Sequence, residues 1–205
     1  MRLGIMGGTF DPIHYGHLFI AEEARVHFCL DSVMFIPNGS PPHKPDRAIT
    51  PAVHRYAMAQ IATRSNAAFD CSPVELNRSG PSYTVDTLDL LREAYPEAEL
   101  FTITGVDAIA EILTWKRHAD VIQKTTFIAA TRPGFDYQIL KDRLPESYVN
   151  KILAVGSTAL GISSTEIRTR VRQGRPIRYL TPDGVADYIA QYGLYTAAES
   201  VPVRA

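Results

Sequence analysis

Residues 3–17, Leu3-Gly4-Ile5-Met6-Gly7-Gly8-Thr9-Phe10-Asp11-Pro12-Ile13-His14-Tyr15-Gly16-His17, decide the fold. Leu3–Met6 is a buried apolar run of strand length. Gly7-Gly8 interrupts it, and from Leu18 to Phe28 apolar residues return at helical spacing. A strand that runs through glycines into a helix opens a βαβ unit. Two glycines at a strand end permit unusual backbone angles and let main-chain N–H groups approach a phosphate. A helix beginning near His17 adds unpaired N–H groups and the positive end of its dipole. His14 and His17 stand three apart around Gly16, whose missing side chain leaves room for a ligand between the two rings. The loop is neither GxGxxG nor GxxxxGK[ST], so it is no Rossmann dinucleotide fingerprint and no P-loop. Zinc is disfavoured too, because no cysteine and no third close ligand stands beside the histidines.

Outward from this stretch the alternation continues. Ser32–Pro37 is a second short apolar run, and Asn38–Pro45 is a loop with Asn-Gly and several prolines. Thr50-Pro51 reads as an N-cap with proline at the first helical position, opening a helix to about Arg64. Ser82–Tyr95 sets Val85, Leu88, Leu91 and Tyr95 on one helical face. Leu100–Thr104, Thr125–Thr131 and Ile152–Val155 are strand-like, and Ser163–Arg172 and Pro182–Tyr192 are helical. The fold class is therefore α/β, a Rossmann-like doubly wound parallel sheet with helices on both faces. In such sheets ligands bind beyond the carboxyl ends of the strands.

Composition narrows the function. The chain has 205 residues, 45% of them hydrophobic and 21% charged, which excludes disordered, collagen-like and coiled-coil classes. No apolar run reaches the ~18–20 residues that span a bilayer, and no leader follows Met1-Arg2, so a cytoplasmic protein without membrane partners is expected. The 21 Lys and Arg against 22 Asp and Glu leave a net charge of −1, which argues against a nucleic-acid partner. Cys29 and Cys71, the only two cysteines, form no disulfide framework or CxxC site.

Three further stretches carry chemistry. Pro41-Pro42-His43-Lys44 stiffens a loop around a lysine available to phosphate. Ile162-Ser163-Ser164-Thr165-Glu166-Ile167-Arg168 is a capping box by its S-x-x-E spacing. It is also an anion site, with hydroxyls at a helix start and a guanidinium suited to bidentate contact. Gly80-Pro81-Ser82-Tyr83-Thr84 opens a helix with hydroxyls and N–H groups, another small anion site.

The sequence MGGTFDPIHYGH resembles the signature of the bacterial nicotinate-nucleotide adenylyltransferases, within the HxGH nucleotidyltransferase superfamily. The resemblance runs from Met1 to about Tyr195. It implies one nucleotidyltransferase-type domain over 1–195 and a C-terminal tail of little order over 196–205. It further implies transfer of AMP from ATP to nicotinate mononucleotide, giving deamido-NAD and pyrophosphate in NAD biosynthesis. Direct in-line attack is implied, without a covalent enzyme intermediate.

By the same resemblance, His14, His17, Lys44 and Arg168 are catalytic. Gly7, Gly8, Thr9, Phe10, Asp107, Ser163, Ser164 and Thr165 join His14, His17 and Arg168 in binding ATP. Asn38, Lys44, Thr84, Trp115 and Arg132 bind the mononucleotide, with Trp115 stacking on the pyridine ring and Thr84 beside its carboxylate. Mg²⁺ would bridge ATP oxygens, held by ATP and water rather than by a protein cage. A homo-oligomer stays open. The nearest rival, the pantetheine-phosphate adenylyltransferase type, looks shorter and carries Thr where this chain has His14. A non-catalytic nucleotide-binding module of the same fold would be expected to lose His17, Lys44 or Arg168, and all three are present.

Overall fold

A computed structural model of the chain describes residues 1–40, 49–131, 138–156 and 161–196. Six strands, β1 (Arg2–Gly8), β2 (Ser32–Pro37), β3 (Phe69–Cys71), β4 (Glu99–Gly105), β5 (Thr126–Thr131) and β6 (Ile152–Gly156), form one sheet. Their order is β3-β2-β1-β4-β5-β6, and every pairing is parallel. The chain winds outward from β1 in one direction and from β4 in the other. The crevice between the carboxyl ends of these two strands is therefore the switch point where ligands bind.

The helices are α1 (Tyr15–His27), α2 (Ala52–Thr63), α3 (Thr84–Ala94), α4 (Val106–Ala110), α5 (His118–Lys124), α6 (Gln138–Arg143), α7 (Glu146–Val149), α8 (Ser164–Arg172) and α9 (Asp183–Gln191). Alternate strand residues face opposite sides of the sheet, and the core divides accordingly. Leu3, Ile5, Met34 and Ile36 pack with Val85, Leu88, Leu91, Ile109 and Val121 from α3, α4 and α5. Met6, Val33 and Phe35 pack on the other face with Ala21, Ala24, Met58, Ile167 and Val185 from α1, α2, α8 and α9. The doubly wound α/β sheet expected from the sequence is the fold. Burial of a residue such as Leu88, 1% exposed, stabilises by about 1.5–3 kcal/mol.

Several boundaries differ from the sequence expectations. Gly7 and Gly8 do not interrupt β1; they continue its ladder, in register with Ile36 and Pro37. α1 begins at Tyr15, two residues before His17, because His14 takes the extended N-cap conformation. Pro51 rather than Thr50 is the N-cap of α2, and the Thr50 carbonyl is held by Arg55. Tyr95 is the C-cap of α3 and lies at the surface, since the helix unwinds before it can join the buried face. β3 passes unnoticed in the sequence because it is three residues long and only partly buried. The 197–205 part of the expected tail lies outside the described residues, as do Lys44 and Arg132.

Candidate active site

The loop leaving β1 is held from outside by side chains of other elements. Arg55 Nη1 donates to the Thr9 carbonyl at 2.7 Å, and Arg168 Nη1 donates to the Asp11 carbonyl at 2.5 Å. Ser164 Oγ donates to the Pro12 carbonyl and Thr181 Oγ1 to the Ile13 carbonyl, each at 2.8 Å. Tyr195 donates its phenol proton to the Asp11 carboxylate at 2.8 Å. Elements far apart in sequence thus converge on four residues, Thr9, Asp11, Pro12 and Ile13, of one five-residue stretch. Sequence analysis missed Arg55 altogether. No periodicity marks it, and its partners are main-chain carbonyls that any residue carries.

Glycine is required at position 8 for packing: a Cβ there would lie 2.8 Å from the Phe10 ring. Phe10 itself is 2% exposed, adopts a left-handed φ of 46°, and stands edge-on to the His17 ring at 5.1 Å. Gly7 differs, for a Cβ there would meet nothing within 4 Å. It faces open space where two cavities join.

His14 and His17 occupy the N-cap and third positions of α1. Their rings stack with centroids 3.7 Å apart and planes 25° from parallel, so no ligand lies between them. The room at Gly16 serves the His14 ring instead, since a Cβ there would approach His14 Nδ1 to 3.0 Å. That corrects the expectation of a ligand gap. The His14 main-chain N–H donates to His17 Nδ1 at 3.2 Å. A nitrogen that accepts a proton bond cannot carry one, so the neutral His17 ring holds its hydrogen on Nε2 as a donor. Burial pushes the His14 imidazole down to about 4. Burial, and then the neighbouring His14, also hold His17 well below the ordinary histidine range. Both rings are therefore neutral at pH 7 before an anion arrives.

The ISSTEIR motif divides between two tasks. Ser163 caps α8, its Oγ accepting from the Glu166 N–H at 3.1 Å, and it lines the larger cavity. The Glu166 carboxylate turns instead to Arg170 at 2.7 Å, so the box is only half formed. Ser164 and Arg168 hold the β1 loop, and Thr165 Oγ1 accepts from Arg168 Nη2 at 3.0 Å. Arg168 is 6% exposed, so its guanidinium reaches protein acceptors rather than standing out in the cleft.

The larger cavity, about 1410 Å³ with its mouth, is lined by Gly8, Phe10, His17, Asp107 and Ser163. A second cavity, about 570 Å³ with its mouth, is lined by Asn38, Glu75, Thr84, Thr87 and Trp115 over an apolar floor of Ile5, Ile36 and Leu88. Gly7, Ile103 and Thr104 line both. The two cavities thus meet at the ends of β1 and β4, the switch point of the sheet. Trp115 stands edge-on to Phe127 at 6.0 Å and contributes to the second cavity's wall.

Glu75 is a buried carboxylate that sequence reasoning did not single out. It accepts from Thr87 Oγ1 at 2.6 Å and from Asn38 Nδ2 at 3.1 Å. On α3, between Thr84 and Thr87 in sequence, Asp86 meets Arg78 at 2.8 Å and Lys116 at 3.3 Å, while Lys116 lies 4.3 Å above the Tyr83 ring. Burial alone would raise the Asp86 carboxyl, but these two cations hold it below its usual range. Among the described residues, no group of three or more His, Cys, Asp or Glu is arranged to hold a metal ion. No helix described is long and apolar enough to cross a membrane.

Residues 5–170 match the family model described as cytidylyltransferase-like. A Moorella thermoacetica protein named as a probable nicotinate-nucleotide adenylyltransferase is 52% identical over 198 residues, covering 95% of this chain and 91% of its own. One of the same name from Corynebacterium kroppenstedtii is 51% identical over 200 residues, covering 98% of this chain and 93% of its own. A solved structure of Plasmodium falciparum nicotinic acid mononucleotide adenylyltransferase complexed with NaAD superposes with a TM-score of 0.74. At 22% identity, over 95% of this chain and 97% of that one, this last likeness concerns the fold.

Proposed function

The chain belongs to the cytidylyltransferase-like family and, within it, to the nicotinate-nucleotide adenylyltransferases, and from that premise we propose how its two cavities divide one reaction. ATP occupies the larger cavity and nicotinate mononucleotide the smaller. The adenylyl group passes between them at Gly7 and Thr104, forming deamido-NAD and pyrophosphate. The observation that carries this reading is the junction itself. A histidine-lined cleft and a Trp115- and Thr84-lined cavity open onto the same two strand ends.

A phosphate oxygen of the mononucleotide attacks the α-phosphorus of ATP. The new P–O bond forms as the bond to the bridging oxygen of the β-phosphate breaks, and pyrophosphate carries away the electron pair. The nucleophile is already anionic, so no general base is needed. Catalysis consists of positioning and of stabilising charge on the phosphoryl oxygens. His17 serves as donor through Nε2–H, with Nδ1 tied to the main chain of His14. His14, stacked on it, shares the α- and β-phosphates. Ser163 and the first N–H groups of α8 take the β- and γ-phosphates, and Arg168 and Ser164 fix the loop that presents the histidines. Asp107, lining the ATP cavity, takes a ribose hydroxyl. Trp115 offers its face to the pyridine ring, and Asn38 and Thr84 flank the mononucleotide. Lys44 and Arg132, outside the described residues, keep their expected roles at the transferring phosphates and the nucleotide rim. Mg²⁺ brought in with ATP would neutralise part of the phosphate charge, and among the described residues no carboxylate cluster is arranged to hold it.

The test is pyrophosphate release from ATP with nicotinate mononucleotide, nicotinamide mononucleotide or phosphopantetheine as acceptor. The reading requires the first to be used best. Release with phosphopantetheine alone, or with none of the three, overturns it.

A further inference from the structure

Arg55 lies 1% exposed at the start of α2, and its acceptors belong to three separate segments. Nε donates to the Thr50 carbonyl at 2.8 Å, Nη1 to Thr9 at 2.7 Å, and Nη2 to Asn38 at 2.6 Å and to Gly39 at 3.3 Å. Thr9 sits between Gly8 and Phe10, which line the larger cavity, whereas Asn38 lines the smaller one. Asn38 also donates its main-chain N–H to the Gly8 carbonyl at 2.9 Å and its amide to Glu75. A single planar fork therefore ties the wall of one cavity to the wall of the other.

We propose that Arg55 is a positioning residue that sets the spacing between the two substrates, acting through Thr9 and Asn38 without touching either substrate. The inference rests on the two-cavity reading given above. Burying a guanidinium is costly, and packing alone would be served as well by a leucine or methionine. Its donors diverge in a fixed plane, so the three carbonyl segments cannot shift independently while it is in place. Lysine has the charge, but its donors radiate from one atom and cannot reach all of them. In-line transfer is the kind of step that depends on such spacing. A misplacement of about 1 Å between reacting groups can cost on the order of 10²-fold in rate.

The test uses the full chain carrying Arg55→Lys or Arg55→Gln, with folding followed by circular dichroism and thermal melting. Binding of each substrate alone is measured by calorimetry, and kcat by pyrophosphate release beside the wild type. Each cavity keeps its own lining, so binary Kd values should stay within about threefold of wild type while kcat falls about tenfold or more. A purely structural role would instead weaken binding and lower Tm together, leaving kcat per folded molecule unchanged. The proposal is overturned if either folded variant keeps kcat within about twofold, or if a binary affinity falls about tenfold or more. Failure of both variants to fold also overturns it, reducing Arg55 to a folding residue. A wild-type chain that releases no pyrophosphate sinks the two-cavity reading and this inference with it. An active wild type with unaffected variants sinks the inference alone.

Discussion

Arg168 Nη1 donates to the main-chain carbonyl of Asp11 across 157 residues of sequence, at 2.5 Å, with Nη2 on the Thr165 hydroxyl. Read from the sequence, this arginine is a phosphate ligand. In the structure it is part of the frame that holds the β1 loop. Removing it takes a charged donor from that buried carbonyl, and a hydrogen bond to a charged group contributes about 1.5–3 kcal/mol. Arg168→Ala should therefore lower the urea midpoint and weaken ATP binding, because the loop presenting His14 and His17 loses an anchor. Arg168→Lys should restore neither fully, since a lysine cannot span both acceptors. A lysine variant with wild-type stability and ATP affinity would show that only a cation is needed there.

His17 offers a sharper test of its tautomer. Asparagine places an amide atom near the imidazole Nδ1 position, and glutamine places one near Nε2. With Nδ1 already occupied by the His14 N–H, the useful donor is on Nε2. His17→Ala should lose about 10²–10³ in kcat, the usual cost of one preorganised donor. His17→Gln should retain more kcat than His17→Asn. The reverse ranking would mean that Nδ1 faces the phosphates.

Gly16→Ala separates stability from activity. Alanine favours a helix over glycine by up to about 1 kcal/mol, so Tm should hold or rise slightly. Its methyl group would press on the His14 ring at 3.0–3.1 Å and disturb the stack on His17. The expected outcome is a folded protein with kcat reduced about tenfold or more. Unchanged kcat would show that the stacked arrangement is not needed for turnover.

The same pair makes stability depend on pH. Below the ordinary histidine value of 6.5 the unfolded chain takes up a proton at His14, whereas the folded site refuses it until about 4. His17 behaves in the same direction. Protons thus favour the unfolded state, and stability should fall as pH drops from 6.5 towards 4, by on the order of 3 kcal/mol for His14. His14→Gln should flatten that part of the curve, measured as urea midpoint against pH. An equal slope in wild type and variant would remove His14 from the account.

The strand ends and the motif at Gly7–His17 were legible because they are local. Apolar runs of strand length, breakers and a strand-to-helix joint all lie within a few residues of each other. The parallel sheet and its two-sided core follow from the same alternation, whereas the strand order does not, and the short edge strand β3 escapes it. What stayed hidden depends on distant partners. Arg55 and Glu75 are buried charges most of whose partners come from distant segments, and nothing in their own neighbourhoods marks them. Gly16 was read as space for a ligand, although a neighbouring ring fills that space. Ser163, Ser164 and Arg168 share one motif, and only the fold separates the residue that faces the cavity from those that brace the loop.

The smaller cavity should prefer the acid form of its pyridine substrate to the amide. Trp115 presents a ring surface common to both, and Glu75 would attract a pyridinium charge that both carry. Neither of these attractions to the ring distinguishes acid from amide. Thr84 begins α3, an eleven-residue helix whose N-cap Tyr83 supplies no side-chain cap. The Asp86 and Thr87 N–H groups turn to the Tyr83 carbonyl, which leaves Thr84 and Val85 as the first-turn donors for a ligand. In the same first turn, two cations, Arg78 and Lys116, face the single carboxylate of Asp86, leaving net positive charge at this end of α3. An amide turned into this site sets its NH₂ against N–H donors, and such a buried mismatch costs about 1–3 kcal/mol. The expected preference in kcat/KM is roughly 10–10² for nicotinate over nicotinamide mononucleotide at saturating ATP and Mg²⁺. Glu75 is the acidic side chain lining this cavity, so its charge opposes the substrate carboxylate. Glu75→Gln should therefore widen the preference, provided the folded variant keeps its Asn38 and Thr87 contacts. Equal kcat/KM for the two mononucleotides, or preference for the amide, would sink the carboxylate site at Thr84 while leaving adenylyl transfer standing.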